Sequence, residues 1–119
     1  MATTNLSNDD FMKTVDENEI VLVDFWADWC GPCKRFAPVY EKVSEENTDI
    51  VFGKVDTEAE QELAMNFQIT AIPTLMAFRQ GILLFNQAGA MNGSSLKSLI
   101  SQIKELDMDE VKAQAKPMA

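Results

Sequence analysis

The chain is 119 residues long, enough for one well-filled core and too short for two. Its 46% hydrophobic and 24% charged residues place it among ordinary globular proteins, and five glycines with four prolines are too few for a collagenous or low-complexity chain. Nineteen acidic residues against ten basic ones give a net charge of -9, which removes the main drive for binding a nucleic-acid backbone, and the absence of histidine excludes Ser-His and Cys-His pairs and the commonest nitrogen ligand for metals.

No apolar run reaches the length of a membrane span, and the start, MATTNLSNDDF, lacks the basic and apolar regions of a signal peptide. The expectation is a cytoplasmic chain with no membrane partner. Thr3 to Leu6 reads as a short first strand. Ser7 with Asp10 then resembles a cap ahead of a short helix through about Asn18. Ile20 to Ala27 (IVLVDFWA) is a β-branched and aromatic run with apolar residues at both parities, the pattern of a central strand covered on both faces. Its single acidic residue, Asp24, stands out for that reason.

From Cys33 to about Asn47, Phe36, Ala37, Tyr40 and Val43 fall at helical spacing, with Pro38 inside the pattern as a kink. Asp49 to Asp56 is a second core strand, and Glu58 to Phe67 a helix marked by Leu63, Ala64 and Phe67. Leu75 to Arg79 and Ile82 to Asn86 flank the turn signal Gln80-Gly81 and form a hairpin. Leu96, Leu99, Ile100, Ile103 and Leu106 stripe a last helix that begins near Asn92 or Ser94. This alternation argues an α/β fold with a mixed sheet and helices on both faces. Residues 107–119 are read as a helical extension that frays before Pro117, with no chemistry assigned to it.

The only cysteines, Cys30 and Cys33, sit between the central strand and the kinked helix in Trp29-Cys30-Gly31-Pro32-Cys33. A thiol at the first turn of a helix meets unpaired N–H groups and the positive end of the dipole, which favour its thiolate. Cys30 is therefore the candidate nucleophile, and Cys33, within one turn, can resolve a mixed disulfide formed by it. Three blander readings compete. A structural staple over so short a loop contributes only roughly 2 kcal/mol before strain. A zinc site normally takes four Cys or His ligands, and the chain has two thiols. Inert packing thiols fit poorly with the Gly-Pro between them and an exposed turn position.

The WCGPC stretch after VDFWA, together with Ile72-Pro73-Thr74 and Gly89, resembles the thioredoxin family from about Ser7 to Leu106. That resemblance implies a thioredoxin fold over residues 1–106 and protein-disulfide reduction by Cys30 and Cys33. It implies a monomer that binds no cofactor and receives electrons from a separate NADPH-dependent thioredoxin reductase. No Gly-rich dinucleotide fingerprint follows a strand in the chain itself. A disulfide oxidant or isomerase of the same fold, and a non-catalytic thioredoxin-fold binding subunit, remain as alternatives.

Burial statistics alone make Asp24 a polar residue satisfied near a strand end; the resemblance implies instead that it takes the proton of Cys33. Some bacterial relatives place a lysine beside that carboxyl, and the aligned position here is Phe52, with Lys54 two residues on. Base rates make Pro73 trans, whereas the resemblance implies a cis bond that leaves the Ile72 backbone free for an extended substrate. Trp29, Gly31, Pro32, Ile72, Pro73, Gly89 and Ala90 are then the candidate substrate-binding residues, with Trp26 packed beneath. Lys34 and Arg35 read either as solvated helix charges or as groups that bias the thiolate and steer acidic partners.

Overall fold

A computed structural model describes residues 2–114. In chain order it contains β1 (Thr3–Asn5), α1 (Phe11–Glu17), β2 (Ile20–Trp26), α2 (Gly31–Glu46), β3 (Val51–Asp56), α3 (Gln61–Asn66), β4 (Thr74–Arg79), β5 (Ile82–Ala88), α4 (Gly93–Glu105) and α5 (Met108–Gln114). The strands form one sheet in the order β1-β3-β2-β4-β5. β1 and β2 run parallel to β3, while β4 is antiparallel to both β2 and β5. The sheet is mixed, as the alternating pattern required.

Strand β2 lies at the centre, and its period of two feeds both cores. Ile20 and Leu22 join Phe36, Tyr40, Phe52 and Ile100 on one face, the face covered by α2 and α4. Val21, Val23 and Phe25 join Phe11, Val55 and Phe78 on the other. Asp24 follows the parity of Leu22 and is buried on the α2 side.

Local chemistry moves several boundaries from their expected places. Asp10 does not cap α1 with its side chain; its Oδ1 accepts the Ser7 N–H at 2.7 Å in the turn that precedes the helix start at Phe11. Helix α3 likewise starts at Gln61, later than the expected Glu58, after a turn in which Asp56 Oδ1 accepts the Glu58 and Ala59 N–H groups. Helix α2 starts two residues early, with Gly31 and Pro32 opening it and Cys30 as its cap, consistent with proline's tolerance in a first turn. It continues through Pro38. The hairpin turn is Gln80-Gly81, with both residues at positive φ (52° and 79°), as a type I′ connection demands. Asn92 caps α4 by accepting the Ser95 N–H at 2.8 Å.

Beyond α4, the Arg79 guanidinium donates through Nη1 to the carbonyls of Ile103, Lys104 and Leu106 and pairs through Nε with Glu19 at 2.8 Å. One side chain thus closes the C-terminal turn of α4 onto the sheet. Met108 of α5 is buried, so the first turn of the extension packs on the domain. The expected fraying before Pro117 lies outside the described residues.

Candidate active site

Strand β2 ends where the loop Ala27–Trp29 turns the chain into α2, and this junction carries both sulfurs. Cys30 has extended backbone angles (φ -87°, ψ 112°), as an N-cap does. Its Sγ accepts the Cys33 N–H at 3.2 Å, so a sulfur occupies the place usually taken by a capping oxygen. A donor N–H and the dipole's positive end at the same atom stabilise negative charge there once the pair is reduced. The two residues form a disulfide across the first helical turn, with Cα atoms 5.2 Å apart.

The expectation of an exposed turn position needs correction. Cys30 is only 4% exposed and Cys33 3%, in a small cluster with Ala27 against which Trp26 and Ile72 pack. Ile72 O lies 3.7 Å from Cys30 Sγ, and the Ile72-Pro73 peptide bond is cis. An open groove walled by Trp29, Pro32, Thr57, Ile69, Thr70 and Ile72 nevertheless reaches Cys30 from the surface.

Around this groove, Trp29 is 70% exposed and its indole N–H donates to Glu58 Oε1 at 2.8 Å, which fixes the ring's orientation at the groove wall. Gly31, Pro32, Gly89 and Ala90 are exposed, and Ile72 is half-buried. Pro73 is buried and so does not form part of the open rim. Its carbonyl accepts the Gly89 N–H at 2.8 Å, tying the end of β5 to the loop beside the sulfurs. Gly89 has φ of 110°, which a side chain would oppose.

On the inner side of the disulfide, Cys33 and Asp24 line one cavity of about 200 Å³ together with Trp26, Asp28, Lys34 and Lys54. Asp24 is 1% exposed, and neither carboxylate oxygen has a hydrogen-bond partner among the described residues. Burial pushes its pKa up to about 7, opposed by the charge of Lys54. The carboxyl can therefore be neutral or ionised near neutral pH, which suits a proton acceptor. Tyr40 beneath it titrates well above its ordinary value because of burial and the nearby Asp24 charge; its hydroxyl donates to Gly53 O at 2.8 Å.

Phe52 is not the residue beside the carboxyl. The parallel register places Lys54 opposite Asp24, while Phe52 pairs with Leu22 and is fully buried in the core. The two residues share a face of β3, and only the register between strands decides which stands beside Asp24. The Lys54 ammonium lies 5.0 Å from the centre of the Trp26 ring, a cation–π contact at the edge of the same cavity. Sequence reasoning also missed Glu58 as the partner of Trp29 and the Thr57, Ile69 and Thr70 walls of the groove. Those residues join the site only through the fold.

Comparison with known proteins agrees with this geometry. The family model described as thioredoxin matches residues 2–116. A relative in Streptomyces coelicolor that carries the thioredoxin name is 55% identical over 111 residues, covering 93% of this chain and 83% of its own. A bifunctional thioredoxin reductase/thioredoxin of Mycobacterium leprae is 38% identical over 94 residues, which are 78% of this chain and 20% of that protein. Among solved structures, a Plasmodium falciparum thioredoxin superposes with a TM-score of 0.78 at 40% identity, over 84% of this chain and 98% of the other. A strand-to-helix junction carrying two sulfurs, the mixed five-stranded sheet and these matches lead to one conclusion: the chain belongs to the thioredoxin family.

Proposed function

We propose that Cys30 is the attacking thiol and Cys33 the resolving thiol of the thiol-disulfide reductase activity that family membership establishes. The observation that carries this division of labour is the capping position of Cys30, whose Sγ receives the Cys33 N–H, together with the groove that reaches Cys30 from the Trp29 side. In the reduced protein the Cys30 thiolate attacks one sulfur of a client disulfide, and the other client sulfur departs with the bonding electrons. Asp24 then takes the proton of Cys33 through the shared cavity. The Cys33 thiolate attacks Cys30 Sγ, releasing the second client sulfur. Two electrons have moved from the Cys30–Cys33 pair to the client, which leaves as a dithiol.

Trp29, Gly31, Pro32, Ile72, Gly89 and Ala90 form the surface on which the client rests, with Pro73 supporting Ile72 from beneath. The family needs no prosthetic group. Return of electrons from NADPH through a separate thioredoxin reductase is part of the proposal; the Mycobacterium leprae relative, which joins both functions in one name, supports it. The proposal further includes a cytoplasmic monomer and a domain boundary at Leu106, where α4 reaches its C-cap. No helix among the described residues is long and apolar enough to cross a membrane.

The test is a trapping experiment with reductase, NADPH and a disulfide-bonded protein. Cys33→Ser accumulates a mixed disulfide with the client, and Cys30→Ser forms none. The reverse pattern would overturn the assignment of roles.

A further inference from the structure

Between Glu62 and Lys97 the only charged residue is Arg79, in a chain whose composition is otherwise 24% charged. Arg79 is itself occupied by Glu19 and by carbonyls of the α4 end. This stretch comprises the part of α3 after Glu62, the loop at Pro73, β4 and the edge strand β5.

The two edges of the sheet are treated differently. β1 is three residues long, and Glu41 accepts the N–H of Ala2 and the hydroxyl of Thr3 beside it. Edge strands are commonly protected by such short length or by charge and proline. β5 is seven residues long, ILLFNQA, without a charge or a proline. A register shift against β4 at Ala77/Phe78 disturbs its start, but Phe85 to Ala88 pairs regularly, and Asn86, Gln87 and Ala88 are exposed.

A groove runs along each side of this edge. On the α1/α3 side, Leu83 and Asn86 line one groove with Met12 and Phe67; on the α4 side, Phe85 and Gln87 line another with Met91 and Leu99. No charged residue among the described residues lines either groove. An edge strand supplies main-chain donors and acceptors, and a groove on each side accepts the alternate side chains of an added strand. We propose that β5 is an extension of the client-docking surface, which takes an extended, uncharged segment of the disulfide-bearing client as a sixth strand.

Continuity with the sulfurs identifies the occupant. β5 ends at Ala88, and the next residue, Gly89, is bonded to Pro73 O beside the Ile72 carbonyl that contacts Cys30 Sγ. A segment paired along Phe85 to Ala88 is led directly toward the disulfide. On a chain of net charge -9, this neutral face admits client segments without repulsion from acidic side chains. The inference rests on Cys30 being the attacking thiol and deepens that reading by naming the client segment.

The probe is a peptide with one cysteine activated as its thionitrobenzoate disulfide and followed by Val-Thr-Val-Thr-Val-Thr. The Cys30 thiolate of the Cys33→Ser protein attacks the peptide sulfur, forming the mixed disulfide, and thionitrobenzoate leaves with the bonding electrons. In the resulting adduct, the backbone amides of Phe85 to Ala88 shift in NMR spectra and gain protection from hydrogen exchange, relative to the adduct of activated free cysteine. Gln87→Lys lowers the rate ratio of this peptide to activated free cysteine about fivefold, and changing the peptide's threonines to lysines does so in the unsubstituted surface by a similar factor. Formation of the adduct with no change at the β5 amides, or an unaltered rate ratio in Gln87→Lys, overturns the docking proposal alone. Failure of Cys33→Ser to release thionitrobenzoate from either compound overturns the role of Cys30, and the docking proposal with it.

Discussion

Replacing Asp24 with Asn is expected to stabilise the oxidised protein above neutral pH by an amount that follows from the burial of the carboxyl. In the unfolded chain the group ionises near 3.8, whereas in the native protein its pKa is raised to about 7 by desolvation. Between those values the unfolded chain has released a proton that the native state still holds, so stability falls as pH rises through this window and levels off above it. A shift of this size corresponds to about 4 kcal/mol at 1.36 kcal/mol per pH unit. The asparagine variant carries no such penalty. Its advantage is near zero at pH 3 to 4, grows through pH 5 and 6, and approaches about 4 kcal/mol at pH 8, less whatever its buried amide loses by lacking a protein partner. Urea melts of both proteins across this range, followed by circular dichroism, measure it. Because the other carboxylates titrate in both proteins, the difference curve isolates Asp24. A difference that stays flat from pH 4 to 8 would refute the argument that Asp24 is desolvated and poised to accept a proton.

Other outcomes follow from the same geometry. Lys54→Met removes the cation that opposes desolvation of Asp24, so a carboxyl-carbon NMR titration is expected to place the Asp24 midpoint above that of the unsubstituted protein; Phe52→Leu, by contrast, leaves the midpoint in place. Arg79→Met takes away donors to three carbonyls at the end of α4 and the pairing with Glu19. It is expected to cost about 2–3 kcal/mol in a denaturant melt and to speed hydrogen exchange in the last turn of α4 and in α5. In the Asp24→Asn protein, stopped-flow measurement separates the two chemical steps: resolution by Cys33 slows at neutral pH, while the first attack by Cys30 changes little.

Much of this architecture could be read from local pattern. The continuous apolar run of β2 announced a strand covered on both faces, and Gln80-Gly81 announced the hairpin that positive φ at both residues confirms. The two sulfurs were visible because their spacing and their place before a helix are properties of a single segment. Boundaries failed where a turn precedes a helix, as with Asp10 accepting the Ser7 N–H before α1 and Asp56 the Glu58 N–H before α3, because the apolar pattern does not separate such a turn from the helix's own first turn. The neighbour of Asp24 was misread for a different reason. Lys54 and Phe52 have the same parity on β3, and choosing between them takes the inter-strand register, which depends on packing across the whole sheet. The hydrogen bond from Trp29 to Glu58 likewise joins segments that only the fold brings together. The near-complete burial of Cys30 depends on the loop at Ile72, forty-two residues downstream.

The reactivity of Cys30 against pH is the most direct test. The fully reduced protein is treated briefly with iodoacetamide at a series of pH values, and the modified cysteine is identified by peptide mass. A capped thiolate at the start of α2 predicts that Cys30 is labelled first, with a midpoint well below the value of about 8.5 for a free thiol, and that Cys33 stays unlabelled over the same interval. Preferential labelling of Cys33, or a Cys30 midpoint equal to that of a cysteine in a short peptide, would contradict the account.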